Sequence, residues 1–165
     1  MKKLTLALYL TFMVVLSFLF FSVSGFKKFK SANVVAHGMM ADVAGSGFRS
    51  NYVFAAYSKS NHFIVLSGYQ LRLHDTISIE LDIPDTVRVG QSYSLRGGAG
   101  LYYENTIARK SYSGDVYEGA GSVTIHALDT VTHIIRGSFN GTLAGNEDSV
   151  VVTHGYFNTG YLEAP

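Results

Sequence analysis

The sequence predicts an all-β protein, an antiparallel β-sandwich or a small barrel of about ten strands that follows an N-terminal signal or anchor helix. Three observations favour this fold class. Glycine is abundant at 17 residues and proline is scarce at 2, while tyrosine and phenylalanine number 11 each and tryptophan is absent. Short segments alternate apolar and polar residues between glycine, asparagine or aspartate, as strands do. From Ala32 onward, no apolar residues recur at a sustained helical spacing.

The N-terminus reads as an export segment. Lys2 and Lys3 precede an apolar run from Leu4 to Val23 that contains no charged residue. A cleaved secretory signal agrees with this basic start and with the small residues Ser22 and Ser24 ahead of a cleavage point. An uncleaved signal anchor agrees with the length of the run, because about 20 apolar residues span a bilayer. Both interpretations predict that the remainder of the chain is exported.

We therefore divide the chain into three parts. Residues 1–24 are a signal peptide or an uncleaved signal anchor, residues 25–31 are a basic linker, and residues 32–165 are a single all-β domain. The expected location is the periplasm, the exterior, or a membrane to which the N-terminal segment anchors the protein. Membrane contact is expected only through residues 4–24, and only where that segment is retained.

The most regular strand is TISIELDIP, residues 76–84. Its inward face is expected to consist of four aliphatic side chains, Ile77, Ile79, Leu81 and Ile83. Pro84 removes a backbone donor and should end the strand. Nine further strands are predicted over residues 32–43, 51–58, 61–73, 91–97, 101–106, 108–117, 122–128, 133–143 and 148–161. The glycine-rich stretches at residues 45–49 and 96–100 read as turns.

Residues 121–145 are predicted to form a β-hairpin. One face of its first strand consists of Val123, Ile125 and Ala127. Asp129 begins the reversal and can bond the backbone of its own turn. Gly137 and Gly141 leave room for an aromatic ring from a neighbouring strand. Asn140-Gly141 also fits a tight hairpin turn, but the alternation that continues to Leu143 favours an unbroken strand. A bulge near Gly155 is expected in the last strand.

Three segments of the second half resemble a known family. They are G-x-V-T-I-x-x-x-D at residues 121–129, I-x-G-x-F at 135–139 and V-T-x-G-x-F-x-x-x-Y at 152–161. They are similar to the C-terminal signature of a Bacteroidota family of small exported proteins, many of them lipoproteins, that is described as a domain of unknown function. The resemblance covers residues 32–161 and is strongest over 121–161. It implies an all-β envelope domain and carries over neither an activity nor any functional residue.

Composition excludes several classes of site. The chain has no cysteine, so disulfides, thiolate zinc sites, a cysteine nucleophile and lipid attachment behind the signal are excluded. A lipoprotein is therefore not expected. Cleavage after Ser24 would remove Lys2 and Lys3. Of the 13 basic residues 11 would then remain, beside 12 acidic residues. This near-neutral body gives no electrostatic reason to expect nucleic-acid binding. No cofactor is predicted.

The histidines are weak metal candidates. With a turn centred between residues 130 and 131, His126 would face Ile135 and His133 would face Leu128, so both histidines would lie on the outer side of the hairpin. A third ligand would have to come from elsewhere, with His154 as the candidate. No tight histidine pair and no H-E-x-x-H spacing occurs, so we predict no metal site. A G-x-S-x-G elbow is also missing, and we predict that the protein is not an enzyme.

Tyrosines beside cationic residues are the candidates for binding. They could stack on an envelope protein or a glycan, or they could fill the rim of a β-core instead. The candidate residues are Tyr93, Tyr102, Tyr103, Tyr112, Tyr117, Arg96 and Arg109. We predict an exported cell-envelope domain with a non-enzymatic binding or structural role. The first alternative is a small barrel that carries a hydrophobic ligand, and a metal-dependent hydrolase is the second.

Overall fold

The computed structural model describes residues 37–73, 76–114 and 121–164. The predicted export segment, the basic linker and Tyr117 lie outside these residues. Within the described part of the chain, no helix has the length and hydropathy needed to cross a membrane.

The described chain is all-β, which confirms the predicted fold class. Its strands are, in chain order, β1 Gly38–Val43, β2 Ser46–Arg49, β3 Tyr52–Ser58, β4 Phe63–Leu71, β5 Thr76–Pro84, β6 Ser92–Ser94, β7 Gly100–Asn105, β8 Lys110–Ser113, β9 Gly121–Asp129, β10 Ile134–Ala144, β11 Ser149–Gly160 and β12 Leu162–Ala164. The strand β2 corrects the prediction of a turn over residues 45–49. Only Ala44 and Gly45 form the reversal, and Phe48 then pairs with Ala41 on β1.

All twelve strands belong to one open sheet with the order β12-β3-β4-β5-β7-β8-β10-β11-β1-β2, while β9 pairs with β10 and β6 pairs with β9. The sheet is mixed rather than purely antiparallel, because β12 runs parallel to β3. Residues 50–51 connect the two ends of the sheet, because they lead from β2 directly into β3. Ser50 donates from its backbone to Met39 on β1 at 2.9 Å, and Asn51 donates to Tyr69 on β4 at 2.8 Å. The sheet therefore curls around one core.

Alternating side chains fill that core. Ile79, Leu81 and Ile83 on β5 are completely buried, and β5 ends at Pro84, both as the sequence predicts. The largest fully buried side chains from the rest of the described chain are Met39, Leu66, Leu95, Leu101, Ile125, Ile135, Phe139, Leu143 and Phe157. Burying a side chain of this size contributes about 1.5–3 kcal/mol to the free energy of unfolding. Apolar packing is therefore the main source of stability in a chain without disulfides.

Glycines on β10 and β11 make room for aromatic rings. Gly137 lies opposite Phe157 and Gly155 lies opposite Phe139 in the antiparallel ladder. Each ring lies over the glycine across from it, and the two rings are 6.3 Å apart between centroids. The predicted approach of an aromatic ring is confirmed at Gly137, but it is wrong at Gly141, which lies against Leu95 instead. The strand β10 continues unbroken through Asn140 to Ala144, so the alternative of a hairpin turn at this point is wrong.

The predicted bulge near Gly155 is also confirmed. Phe139 pairs with Gly155 and Gly141 pairs with Val152, so two residues of β11 stand opposite the single residue Asn140. One of them, His154, adopts a left-handed backbone conformation with φ of 52°. Such a residue locally increases the twist of the strand and reverses which side chains face the core. The buried positions accordingly change from Val150 and Val152 to Gly155 and Phe157.

The β9–β10 turn forms at Asp129 as predicted, but its register differs from the prediction. Asp129 Oδ1 accepts hydrogen bonds from the backbone of Val131 at 2.8 Å and of Thr132 at 3.0 Å. The turn extends through residue 133, and Leu128 rather than His126 pairs with Ile135. His126 is an extra residue in a bulge between two ladder pairs. The symmetrical turn assumed from the sequence is therefore wrong.

Candidate functional site

An apolar surface lies on the outer side of β3, β4 and β12. In the ladder between β3 and β4, Tyr52 stands directly opposite Tyr69. Phe54 follows two residues later and shares the face of Tyr52, because side chains alternate along a strand. On the other flank of β3, Leu162 pairs with Ala56. We call the exposed side chains of Tyr52, Phe54, Tyr69 and Leu162 the aromatic face.

The aromatic face results from an unusual distribution of side chains on β3. Its inward positions hold Val53, Ala55 and Tyr57, which pack against the core. The rings of Tyr52 and Phe54 point outward, and they are 68% and 52% exposed. An aromatic side chain offers about 150–250 Å² of surface, so the three rings together expose about 300 Å². A contiguous apolar patch of about this area often marks an interaction site.

An acidic strip continues the same outer side onto β5 and β7. Ser67 of β4 donates to Glu80 Oε2 at 2.8 Å, and Asp82 follows on the same face of β5. Glu104 on β7 stands opposite Ser78 of β5. The outward positions of the described strands β3, β4, β5 and β7 include no lysine and no arginine. The surface beside the aromatic face is therefore negative.

Two of the tyrosines proposed for binding lie in the core instead. Tyr103 and Tyr112 stand opposite each other on β7 and β8, with ring centroids 5.8 Å apart, and both are buried. Tyr102 points to the outer side and is half-buried, and its ring covers Gly100. The alternation of these strands was predicted, but alternation alone does not say which face is inside.

The remaining binding candidates are dispersed. The half-buried Tyr93 accepts a hydrogen bond from the backbone of Arg88 at 2.6 Å and donates to Gln91 at 2.9 Å, so its hydroxyl stabilises a loop. Arg96 is exposed in the turn after β6. Arg109 adopts a left-handed conformation with φ of 52° in the turn between β7 and β8. None of these three residues lies on the aromatic face.

A surface groove of about 250 Å³ does bring Arg109 and Tyr112 together. It lies between residues 108–112 and the β10–β11 loop, residues 145–148. Lys110 forms an ion pair with Asp148, which also accepts a hydrogen bond from Tyr112 at 3.3 Å. The hydrogen bond with Lys110 lowers the pKa of Asp148, and the same bond raises the pKa of Lys110. This pair is exposed, and it ties the two loops together.

The three histidines considered for metal binding have separate partners. His126 forms a hydrogen bond with Ser138 at 2.9 Å. His133 lies 3.6 Å from Glu163, and His154 lies 3.0 Å from Asp42. Among the residues that the structure describes, no group of three or more histidine, aspartate and glutamate side chains is placed to hold a metal ion.

A cluster that sequence analysis missed joins Tyr57, His62 and Asp85. Asp85 Oδ2 lies 2.9 Å from His62 Nδ1 and accepts a hydrogen bond from Tyr57 at 3.0 Å. The bond with His62 lowers the pKa of Asp85, and the bond with Asp85 raises the pKa of Tyr57. Asp85 also donates from its backbone to the carbonyl of His62 at 2.9 Å. The cluster thus fixes the β3–β4 turn against the end of β5.

The arrangement of described residues is that of a packed β body with an exposed aromatic face. No curated protein and no solved structure is significantly similar to the chain. A family model described as a domain of unknown function, DUF6252, matches residues 37–160. That match confirms the expected likeness to a family of unknown function and spans well over half of the chain. The chain belongs to the DUF6252 family, a domain of unknown function.

Proposed function

We propose that this protein is a non-enzymatic binding domain of the cell envelope, and that its aromatic face holds a partner protein. The observation that carries the proposal is the exposure of Tyr52, Phe54 and Tyr69 side by side on strands whose other face is firmly packed. Exposing these rings to water is unfavourable. A partner that covers them would recover that free energy, and rigid rings lose little entropy on binding.

The chemistry of the face favours a protein over a glycan. Leu162 extends the rings with a branched aliphatic side chain, which cannot hydrogen-bond sugar hydroxyls. Glu80, Asp82 and Glu104 form the neighbouring acidic strip. A docking segment that presents apolar side chains next to lysine or arginine would complement both surfaces. The partner class that we propose is therefore a protein with an apolar and basic docking segment.

The N-terminal sequence supports the envelope location. The apolar run from Leu4 to Val23 behind Lys2 and Lys3 has the composition of a signal or anchor. The resemblance of residues 121–161 to exported Bacteroidota proteins supports the same compartment.

Packing of the interior disfavours the alternative of a carrier for hydrophobic ligands. Such carriers need an apolar cavity of about 300 Å³ or more. The described interior is filled by fully buried leucine, isoleucine and phenylalanine side chains. A cavity beside Phe48, Ile77 and Tyr103 measures only about 40 Å³. The larger groove near Arg109 is polar and lies at the surface.

Site-specific photo-crosslinking in the native envelope tests the proposal. A photoreactive phenylalanine analogue replaces Phe54 in one variant and Val151 of β11 in a matched control. These two side chains are 52% and 50% exposed, so accessibility alone predicts equal labelling. We expect a discrete protein adduct from position 54 only.

Loss of this adduct when Tyr52 and Tyr69 are replaced by threonine would show that the face itself is recognised. The proposal is overturned by equal adducts from positions 54 and 151. It is also overturned by a soluble glycan that protects position 54 while no protein adduct forms.

A further inference from the structure

The surface groove between β8 and the β10–β11 loop has the size of a small ligand. Its volume is about 250 Å³, and its walls are residues 108–112 and 145–148, all of which the structure describes. At about 30 Å³ per water molecule, the groove holds about eight waters. It therefore suits a peptide of a few residues better than a larger ligand.

The groove lies where the ladder between β8 and β10 stops. Ser113 of β8 pairs with Ala144 of β10, and the next step of that ladder would join Ser111 to Asn146. No backbone bond joins these two residues. The chain turns at this point instead, because the backbone of Gly145 donates to the carbonyl of Asp148 at 2.7 Å. The edge of β8 is thus left uncovered at Ser111.

The backbone of Ser111 points towards the groove. In an antiparallel ladder, pairs that exchange hydrogen bonds alternate with pairs whose backbone groups point away from each other. Gly114 donates to the carbonyl of Leu101 at 2.9 Å, so their pair is hydrogen-bonded. Ser111 and its partner Glu104 on β7 stand three steps along the same ladder, which is an odd number. The amide and carbonyl of Ser111 therefore point away from β7, and such an edge can accept an added extended segment.

The groove offers one free charge of each sign. Its lining contains two cations and two anions, of which Lys110 and Asp148 form an ion pair. Arg109 and Glu147 lie on opposite walls, and neither has a hydrogen-bond or ion-pair partner within the described chain. Glu104, at the start of the same turn, is not part of the lining. A ligand that carries both charges complements this groove better than an anion or a cation does.

Side-chain contacts fix the two walls to each other. Asp148 Oδ2 accepts a hydrogen bond from Tyr112 at 3.3 Å and also binds Lys110. The buried ring of Tyr112 lies against Gly145, where a Cβ would stand 2.8 Å from Cε1 of the ring. Because these contacts are already made, the groove needs little ordering when a ligand binds.

We propose that this groove binds a short zwitterionic peptide in an extended conformation. The central residue of the peptide pairs with Ser111 as an additional antiparallel strand. In that direction the carboxyl end of the peptide points towards Arg109, whose planar guanidinium suits a carboxylate. The ammonium group is attracted to Glu147 on the facing wall. This inference goes beyond the partner protein, because the groove shares no residue with the aromatic face.

Titration with trialanine tests the inference in the isotope-labelled full chain, kept in detergent micelles. Nuclear magnetic resonance follows the backbone amides. We expect saturable shifts at residues 108–112 and 145–148, with the amide of Ser111 among the most affected. The amides of Tyr52 and Phe54 on the aromatic face serve as an internal control and should not shift.

Analogues of trialanine remove one contact each. Trialanine amide lacks the carboxylate, and N-acetyl-trialanine lacks the ammonium group. Each should bind about fivefold more weakly than trialanine, as expected for the loss of one exposed charged contact. N-methylation of the central residue removes the donor to the Ser111 carbonyl and should have an effect of about the same size.

Arg109→Asn assigns the carboxylate contact to its residue. Asparagine tolerates the left-handed backbone of this position, where φ is 52°. The variant should bind trialanine about fivefold more weakly, but it should bind trialanine amide as the parent protein does. Arg96→Asn is the matched control, because Arg96 is exposed in a turn outside the groove. It should bind trialanine like the parent protein.

The absence of saturable shifts up to about 10 mM trialanine overturns the inference. Equal dissociation constants for trialanine and its two capped analogues also overturn it, and this comparison needs no variant that has to fold. A folded Arg109→Asn variant that binds trialanine like the parent protein overturns it as well. None of these results bears on the crosslinking at Phe54, so the two proposals are judged separately.

Discussion

Phe157 lies directly across from Gly137, and its ring occupies the space that a side chain at Gly137 would need. A Cβ at Gly137 would stand 2.5 Å from Cζ of Phe157 and 2.3 Å from the carbonyl oxygen of Thr124. Phe139 covers Gly155 in the same way two ladder pairs further along. Aromatic rings thus replace the missing side chains at two adjacent points of the sheet, and close approach rather than turn geometry requires these glycines.

Gly137→Ala should destabilise the domain strongly. The methyl group must displace both the Phe157 ring and the backbone of Thr124, and overpacking of this kind costs about 1–3 kcal/mol. Gly47→Ala on β2 is the matched control, because nothing lies within 4 Å of its Cβ position. Urea unfolding followed by circular dichroism measures both variants. Equal free energies of unfolding for the two variants would refute this account of β10 and β11.

Leu95 should be among the most sensitive core positions. It is completely buried, and its Cδ1 lies within 3.0 Å of the Cβ positions of Gly114, Gly121 and Gly141. Leu95→Ala leaves a cavity that these glycines cannot fill, which costs about 2–5 kcal/mol in the free energy of unfolding. Val89→Ala, at an exposed position in the preceding loop, should change it by less than about 0.5 kcal/mol. Similar losses in chemical denaturation would contradict the packing described.

Asp129→Ala should lower the Tm in a manner that depends on pH. The hydrogen bond from the Thr132 hydroxyl, with backbone bonds from Thr132 and Val131, lowers the pKa of Asp129 from its ordinary value of 3.8. A carboxyl with a lowered folded-state pKa stabilises the fold above its unfolded pKa, and this contribution is lost as pH falls through the folded pKa. The Tm deficit of the variant should therefore be full near pH 7 and shrink below about pH 4.

Thr130→Ala is the control for Asp129, because Thr130 is exposed in the same turn and does not contact the carboxylate. Thermal unfolding followed by circular dichroism across the pH range measures all three proteins. A deficit that stays constant down to about pH 2 would mean that ionised Asp129 does not hold the turn.

Replacing the aromatic face should leave stability unchanged. Tyr52→Thr and Phe54→Thr remove side chains that point into water, and threonine retains a good propensity for strands. The Tm should stay within about 2 °C of the parent protein, as measured by thermal unfolding. A large loss of stability would show that these rings support the fold rather than await a partner.

Local patterns of sequence predicted much of the fold. The alternation through Asn140-Gly141 correctly indicated an unbroken β10, and the change of parity after Val152 correctly indicated a bulge. The predicted hairpin register was wrong because His126 is an extra residue in a bulge. The alternation of polar and apolar residues gives no sign of this bulge. The strand β2 was missed because its four residues include only one buried side chain, Phe48.

The candidate site was less predictable. Tyr103 and Tyr112 resemble Tyr52 and Tyr69 in sequence context, since all four lie in alternating strands. Tertiary packing places the first two inside and the others outside. Only the pairing of β3 with β4 brings Tyr52 and Tyr69 together, and that is a contact between strands rather than a property of either segment. The sequence therefore predicted which segments form strands, but it did not predict which part of the folded surface stays exposed.

The affinity between this domain and the protein that crosslinks at Phe54 is the most direct test of a partner-binding aromatic face. Titration calorimetry with both purified proteins would compare the parent domain, the Tyr52→Thr and Phe54→Thr double variant, and Val151→Thr. Central aromatic anchors contribute about 2 kcal/mol or more, so the double variant should bind at least about 30-fold more weakly, while Val151→Thr should bind like the parent. Equal dissociation constants for all three proteins would contradict the account.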